Sequence, residues 1–123
     1  MRVQLVRHAT LIVEYGGRRL MVDPMLDDAG ARGPIEDSPN PRKNPLVALP
    51  AAAEELVKGL DAALVTHTHS DHWDRKAAEI LPKELPLLCQ PEDEAKFLAA
   101  GFTRVQVVAK PASFEGIEIT RTG

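Results

Sequence analysis

The chain has one cysteine, Cys89, in 123 residues, which excludes an intramolecular disulfide. It also lacks a basic excess. Fifteen Lys and Arg against 18 Asp and Glu leave a formal charge of −3, so nothing offers the positive field that nucleic acid or another polyanion requires. No stretch approaches the roughly 18 apolar residues of a membrane helix. The N-terminus, Met1 to His8, has neither the uninterrupted apolar run nor the small-residue cleavage site of a secretory signal. Internal repeats and low-complexity tracts are absent. These absences lead us to expect a cytoplasmic protein with no nucleic-acid or membrane partner. With 44% hydrophobic residues, the chain is long enough for one domain with a core and too short for two.

The expected elements follow from periodicity and punctuation. Val3 to Arg7 and Thr10 to Tyr15 read as strands, and Gly16-Gly17 as a hairpin turn into a third, Arg18 to Val22. Residues 24–50 hold six of the ten prolines together with Gly30 and Gly33, so they read as one long irregular loop within the domain. Ala51 to Gly59 suits a short helix, and Leu60 to Thr66 a buried strand. Beyond it come a helix over Asp74 to Leu81, a strand over Leu85 to Gln90, a helix over Pro91 to Ala100 and a strand over Arg104 to Val108. Ala112 to Thr120 reads as a new hairpin about Gly116. Strands alternating with helices indicate an α/β sheet with helices packed on it.

Function points to one segment. Three of the four histidines fall within Thr66-His67-Thr68-His69-Ser70-Asp71-His72, directly after the apolar run Ala62 to Val65. In extended chain leaving a strand, His67 and His69 project to the same side and suit one metal ion. Asp71 and His72 belong to the following turn, which makes a second ion beside the first plausible. Imidazole nitrogens with carboxylate oxygens suit zinc, and also iron, manganese or nickel.

Simpler readings compete at each residue. Incidental surface histidines leave the clustering and Asp71 unexplained. A structural zinc clip usually has a closed four-ligand shell, often with thiolates, whereas Cys89 follows Pro86-Leu87-Leu88 as a small core residue would. His8 either lines the mouth of a site or merely ends the first strand. Trp73 reads as an anchor for the helix start, and Asp74 as a partner of the helix N-terminus. Asp23, before Pro24, is either a carboxylate orienting a histidine or a turn residue.

The segment His67-Thr68-His69-Ser70-Asp71-His72 resembles the H-x-H-x-D-H signature of the metallo-β-lactamase superfamily. His8 to Glu14 followed by Gly16 to Pro24 resembles the opening hairpin and Asp-Pro corner of its ascorbate-phosphate-lactonase-like branch. The resemblance implies that residues 1–123 form a single partial domain, the N-terminal half of an αββα sandwich, with a mixed sheet bearing helices on one face. It further implies a zinc-dependent hydrolase acting on a small-molecule lactone or phosphoester, with His67 and His69 on a first metal and Asp71 and His72 on a second. Asp71 would be the catalytic residue that also orients the attacking water.

The family's remaining ligands, a third histidine, a bridging aspartate and a last histidine, are expected beyond Gly123. Poor activity of this chain alone follows, since two imidazoles without a third fixed ligand hold a catalytic metal weakly. The sheet's inner face is expected to be uncovered, because the chain offers no second sheet. It would then seek a homo-oligomeric partner or a complementary second half. The alternative to a truncated or split hydrolase is a non-catalytic, self-associating metal-binding remnant.

Overall fold

The computed structural model describes residues 1–122. Three antiparallel strands open the chain: β1 (Arg2–Arg7), β2 (Thr10–Tyr15) and β3 (Arg18–Val22). Tyr15 pairs with Arg18 across Gly16-Gly17, whose φ values of 58° and 73° are what a two-residue hairpin turn needs and what glycine adopts without strain. Then the sheet changes sense. β4 (Ala62–Val65) lies parallel to β3, β5 (Leu87–Cys89) parallel to β4, and β6 (Val105–Val107) parallel to β5, giving one six-stranded mixed sheet in the order β1 to β6.

The residue pattern explains the switch. β2 alternates, as a strand with one drier face does, whereas β5 is buried at all three positions, as parallel strands covered on both faces are. One face carries Ile12, Met21, Ala63, Val65, Leu87 and Cys89 beneath three short helices, α1 (Ala53–Leu56), α2 (Arg75–Ile80) and α3 (Glu94–Ala99). Leu56, Ala77 and Phe97 are their buried contributions. Phe97 meets Trp73 and Phe102 edge-on, with centroids 4.9 and 6.3 Å away, so Trp73 anchors the approach to α2 as expected. Fraying trims the expected helices: only Ala53–Leu56 of 51–59 is α-helical, and Pro91–Asp93 forms a 3₁₀ turn before α3.

The opposite face corrects an expectation. The chain does supply the beginning of a second sheet: β7 (Ala112–Phe114) and β8 (Ile117–Ile119) pair across Glu115-Gly116. Phe114 and Ile117 lie over Leu20, Ala62 and Leu88. Covering these central residues removes further apolar area from water. The cover stops short of the antiparallel edge, where Val3 and Leu5 remain 53% and 65% exposed.

The long loop is irregular yet well anchored. Its one ladder contact is a bridge between Arg32 and Asn44, while Met25 and Leu26 are fully buried near its start. The Arg7 guanidinium, almost wholly buried, donates to the carbonyls of Met25, Asp27 and Val47 and so ties both ends of the loop to the end of β1. Burial lowers the Arg7 pKa, and the nearby Asp74 and Asp27 carboxylates oppose that shift.

Candidate metal centre

The parallel strands β3, β4 and β5 all end on the same edge of the sheet, where open α/β sheets place their ligands. Asp23 stands just past β3, in the left-handed region at φ 46°, with its N–H donating to the Leu64 carbonyl of β4 at 2.9 Å. Its buried carboxylate collects three donors from the motif. Thr66 N–H donates to Oδ1 at 2.7 Å, the Thr66 hydroxyl to Oδ2 at 2.8 Å, and His72 Nδ1–H to Oδ2 at 2.7 Å. His72 reaches back because the chain turns: both His72 N–H and Trp73 N–H donate to the His69 carbonyl at 2.9 Å. Asp23 is therefore the orienting carboxylate, placed there by the same strand exit that makes it a turn residue.

This network assigns tautomers. A carboxylate oxygen can only accept, so His72 carries a proton on Nδ1, the tautomer whose neutral form offers Nε2 as the ligand atom. The Thr66 hydroxyl spends its proton on Asp23 and accepts from His67 Nδ1 at 3.0 Å, which selects the same tautomer for His67. Bare Nε2 nitrogens are what a metal takes from histidine.

The four motif residues converge. One donor atom from each of His67, His69 and Asp71 lies within 4.8 Å of the other two. Donors of a tetrahedral site with bonds of about 2.0–2.2 Å are about 3.3–3.6 Å apart, so the three would close by up to about 1.5 Å to share one ion. His67 and His69 rings meet edge-on at 4.6 Å, the same-side projection expected of alternate residues. His72 completes the group, its ring 3.9 Å from that of His67 and its Nε2 3.6 Å from Asp71 Oδ2. Asp71, which the sequence paired with His72, thus lies near His67 and His69 as well.

Neighbouring residues hold the motif from outside. Asp74 caps α2, accepting from Ala77 N–H, and accepts from Asp27 N–H of the loop, both at 2.9 Å. Burial raises its pKa, and those two backbone donors oppose the rise. The hydroxyl of Thr68 donates to the buried Asp93 at 3.1 Å and accepts from Lys96. Thr66, Thr68, Asp93 and Arg7 were not singled out from sequence. The two threonines alternate with His67 and His69, and that alternation was the available signal; Asp93 and Arg7 carry none in sequence. Cys89 lies in the core, its thiol pKa pushed up to about 11 by burial and by Asp93 and Glu94. His8 adopts φ 47° and accepts the Leu46 N–H at Nε2, 2.9 Å away.

Residues 2–122 match the family described as the beta-lactamase superfamily domain. The chain belongs to that family. It is 36% identical over 124 residues to UPF0173 protein YddR of Bacillus subtilis (strain 168), covering 99% of this chain and 49% of that protein. Among solved structures, an isothiocyanate hydrolase from Delia radicum gut bacteria superposes with a TM-score of 0.85 at 36% identity, over 94% of this chain and 44% of that one. A possible metal-dependent hydrolase from Veillonella parvula DSM 2008 superposes with a TM-score of 0.90 at 30% identity, over 94% and 45%. The chain spans about half the length of the relatives it matches. Its fold is the expected half-sandwich, a mixed sheet with its helices on one face.

Proposed function

We propose that this chain carries the metal-binding half of a metal-dependent hydrolase. The observation that supports this most is the convergence of His67, His69 and Asp71 donor atoms within 4.8 Å on the sheet edge, with His72 against Asp71. His67 and His69 would hold a first metal and Asp71 and His72 a second, and Asp71 would also orient the attacking water. A bound divalent transition metal supplies Lewis acidity and brings the pKa of a coordinated water toward neutrality. Asp23 accepts from His72 Nδ1 and Thr66 from His67 Nδ1, so in each ring Nε2 is the nitrogen left for a metal. Zinc suits this nitrogen and oxygen set first, with iron, manganese and nickel as competitors.

The substrate in this reading is a small electrophile, a lactone or phosphoester. The isothiocyanate hydrolase among the similar structures adds a third class that activated water attacks. Residues 1–123 act as one partial domain, placed in the cytoplasm, and no helix among the described residues is long and apolar enough to cross a membrane. The exposed Val3 and Leu5 favour a partner on the uncovered part of the sheet, a second copy or a complementary half.

Hydrolysis by the protein that carries this chain, measured across lactone, phosphodiester and isothiocyanate substrates, tests the proposal. Turnover should vanish with a chelator and with Asp71→Asn, and the isolated chain should do little better than free metal. Turnover indifferent to both would overturn it.

A further inference from the structure

We propose, on the hydrolase reading above, that Asp93 is a positioning residue for the first metal site: through Thr68 it holds the chain between His67 and His69 and so sets where the two imidazoles meet an ion.

Ladder pairing does not reach the ligands. β4 pairs last with β5 at Val65 and Cys89, so the chain that carries His67 and His69 has left the sheet and depends on side chains to fix its path. The two threonines that alternate with the histidines supply them. Each is anchored on a buried carboxylate, Thr66 on Asp23 from the end of β3 and Thr68 on Asp93 from the start of α3, the latter at 3.1 Å. Thr68 is the residue between the two ligands of the first metal, so its anchor governs their spacing.

The Asp93 carboxylate is not used as its position in the helix suggests. It stands at the N-cap of α3, where an aspartate ordinarily accepts a backbone N–H of the first turn, yet it makes no such bond. Its oxygens serve the ligand segment instead. Oδ1 accepts from the Thr68 hydroxyl and Oδ2 from Gln90 Nε2 at 2.9 Å, while Lys96 Nζ lies 3.8 Å from Oδ1 and donates to the same hydroxyl. The ammonium offsets the cost of burying the carboxylate, and both groups close on Thr68. Gln90 lines the same cavity as Thr66 and His67, so Asp93 also ties the wall of that cavity to the ligands. A carboxylate that served only the fold would cap its own helix.

Zinc affinity of the chain, read by competition with a chromophoric chelator well below the unfolding temperature, decides the matter. Loss of an outer partner of a metal site weakens binding by about 10–100-fold, and a partner that acts through a neighbouring residue belongs at the lower end. Thr68→Val, which keeps the side chain's shape and removes the hydroxyl, should weaken zinc about tenfold, whereas Thr68→Ser should bind within about twofold of the unaltered chain. Asp93→Asn offers a single acceptor oxygen to Thr68 and Gln90 together and should cost a similar factor. Combined with Thr68→Val it should add little, because both remove one interaction. Equal affinity in the unaltered chain and Thr68→Val would overturn the proposal even if Tm fell, and so would losses that multiply in the double variant. Nitrogen-15 relaxation of the metal-free chain gives a reading independent of the ion. Order parameters of residues 67–69 should drop from about 0.85 towards about 0.6 in Thr68→Val and recover in Thr68→Ser, and no drop would overturn the positioning. Should the unaltered chain hold no zinc, the hydrolase reading falls, while the order parameters still decide whether Asp93 holds this segment.

Discussion

Replacing Asp23 by Asn is the most informative perturbation of the site, because it keeps shape and tolerance of positive φ while changing what the side chain can accept. The carboxylate takes three hydrogen bonds at 2.7, 2.8 and 2.7 Å from Thr66 N–H, the Thr66 hydroxyl and His72 Nδ1–H. Asparagine can still accept the first through its carbonyl. Its NH₂ then faces two donors at the former Oδ2 position. Each hydrogen bond to a buried charged group contributes about 1.5–3 kcal/mol, and the Thr66 hydroxyl can turn elsewhere, so a net loss of about 3 kcal/mol is expected. At the usual unfolding entropy per residue this lowers Tm by about 10 °C. The same change pushes the His72 proton from Nδ1 to Nε2, the nitrogen that faces Asp71 at 3.6 Å and would bind metal. Loss of such an orienting carboxylate typically weakens metal affinity by about 10–100-fold. Thermal unfolding with chelator, zinc competition against a chromophoric chelator and nitrogen-15 spectra of His72 read the three effects separately. An unchanged His72 tautomer with unchanged zinc affinity would refute the role given to Asp23, even if Tm fell.

Further outcomes follow from particular residues. Phe97→Ala removes a fully buried ring from its edge contacts with Trp73 and Phe102 and should cost about 3–5 kcal/mol in denaturant unfolding; a loss below 1 kcal/mol would mean that this part of the core is not packed as described. The Cys89 thiol, with its pKa raised from 9.0 to about 11, is protonated and shielded in the fold. Iodoacetamide at pH 8 should spare it until the chain unfolds, and because the raised value belongs to the folded state, its stabilising contribution is complete below pH 9 and is lost as pH rises through 11. Stoichiometric labelling of the folded chain would contradict this. Light scattering across a concentration series should show self-association through the Val3 and Leu5 face, reversed by Leu5→Lys; a monomer at every concentration would count against that partner.

Much of this was legible in sequence because short-range rules governed it. Gly16-Gly17, the apolar run of β4, Pro91 and Gly116 punctuate elements that local chemistry alone determines, and the density of histidine at 67 to 72 betrays the ligand cluster without any tertiary information. What escaped depended on contacts far apart in the chain. Asp23 could be read as a turn or as an orienting carboxylate, and only the register that sets β3 beside β4 brings it onto Thr66 and His72. Arg7 looked like a charged strand end; its burial is decided by where the loop returns at Met25 and Val47. The second-sheet hairpin was recognised as a hairpin, but its docking over Leu20, Ala62 and Leu88 was not, since three-residue strands carry no sign of what they will cover.

Metal content tests the central claim most directly. The chain, purified without any metal-affinity step and dialysed against trace zinc, should retain between a fraction of an equivalent and a full equivalent of zinc, iron or manganese by elemental analysis, and the His67→Ala/His69→Ala variant should retain none. Equal metal in the two proteins would mean that these imidazoles do not hold the ion, and the hydrolase reading built on them would fall.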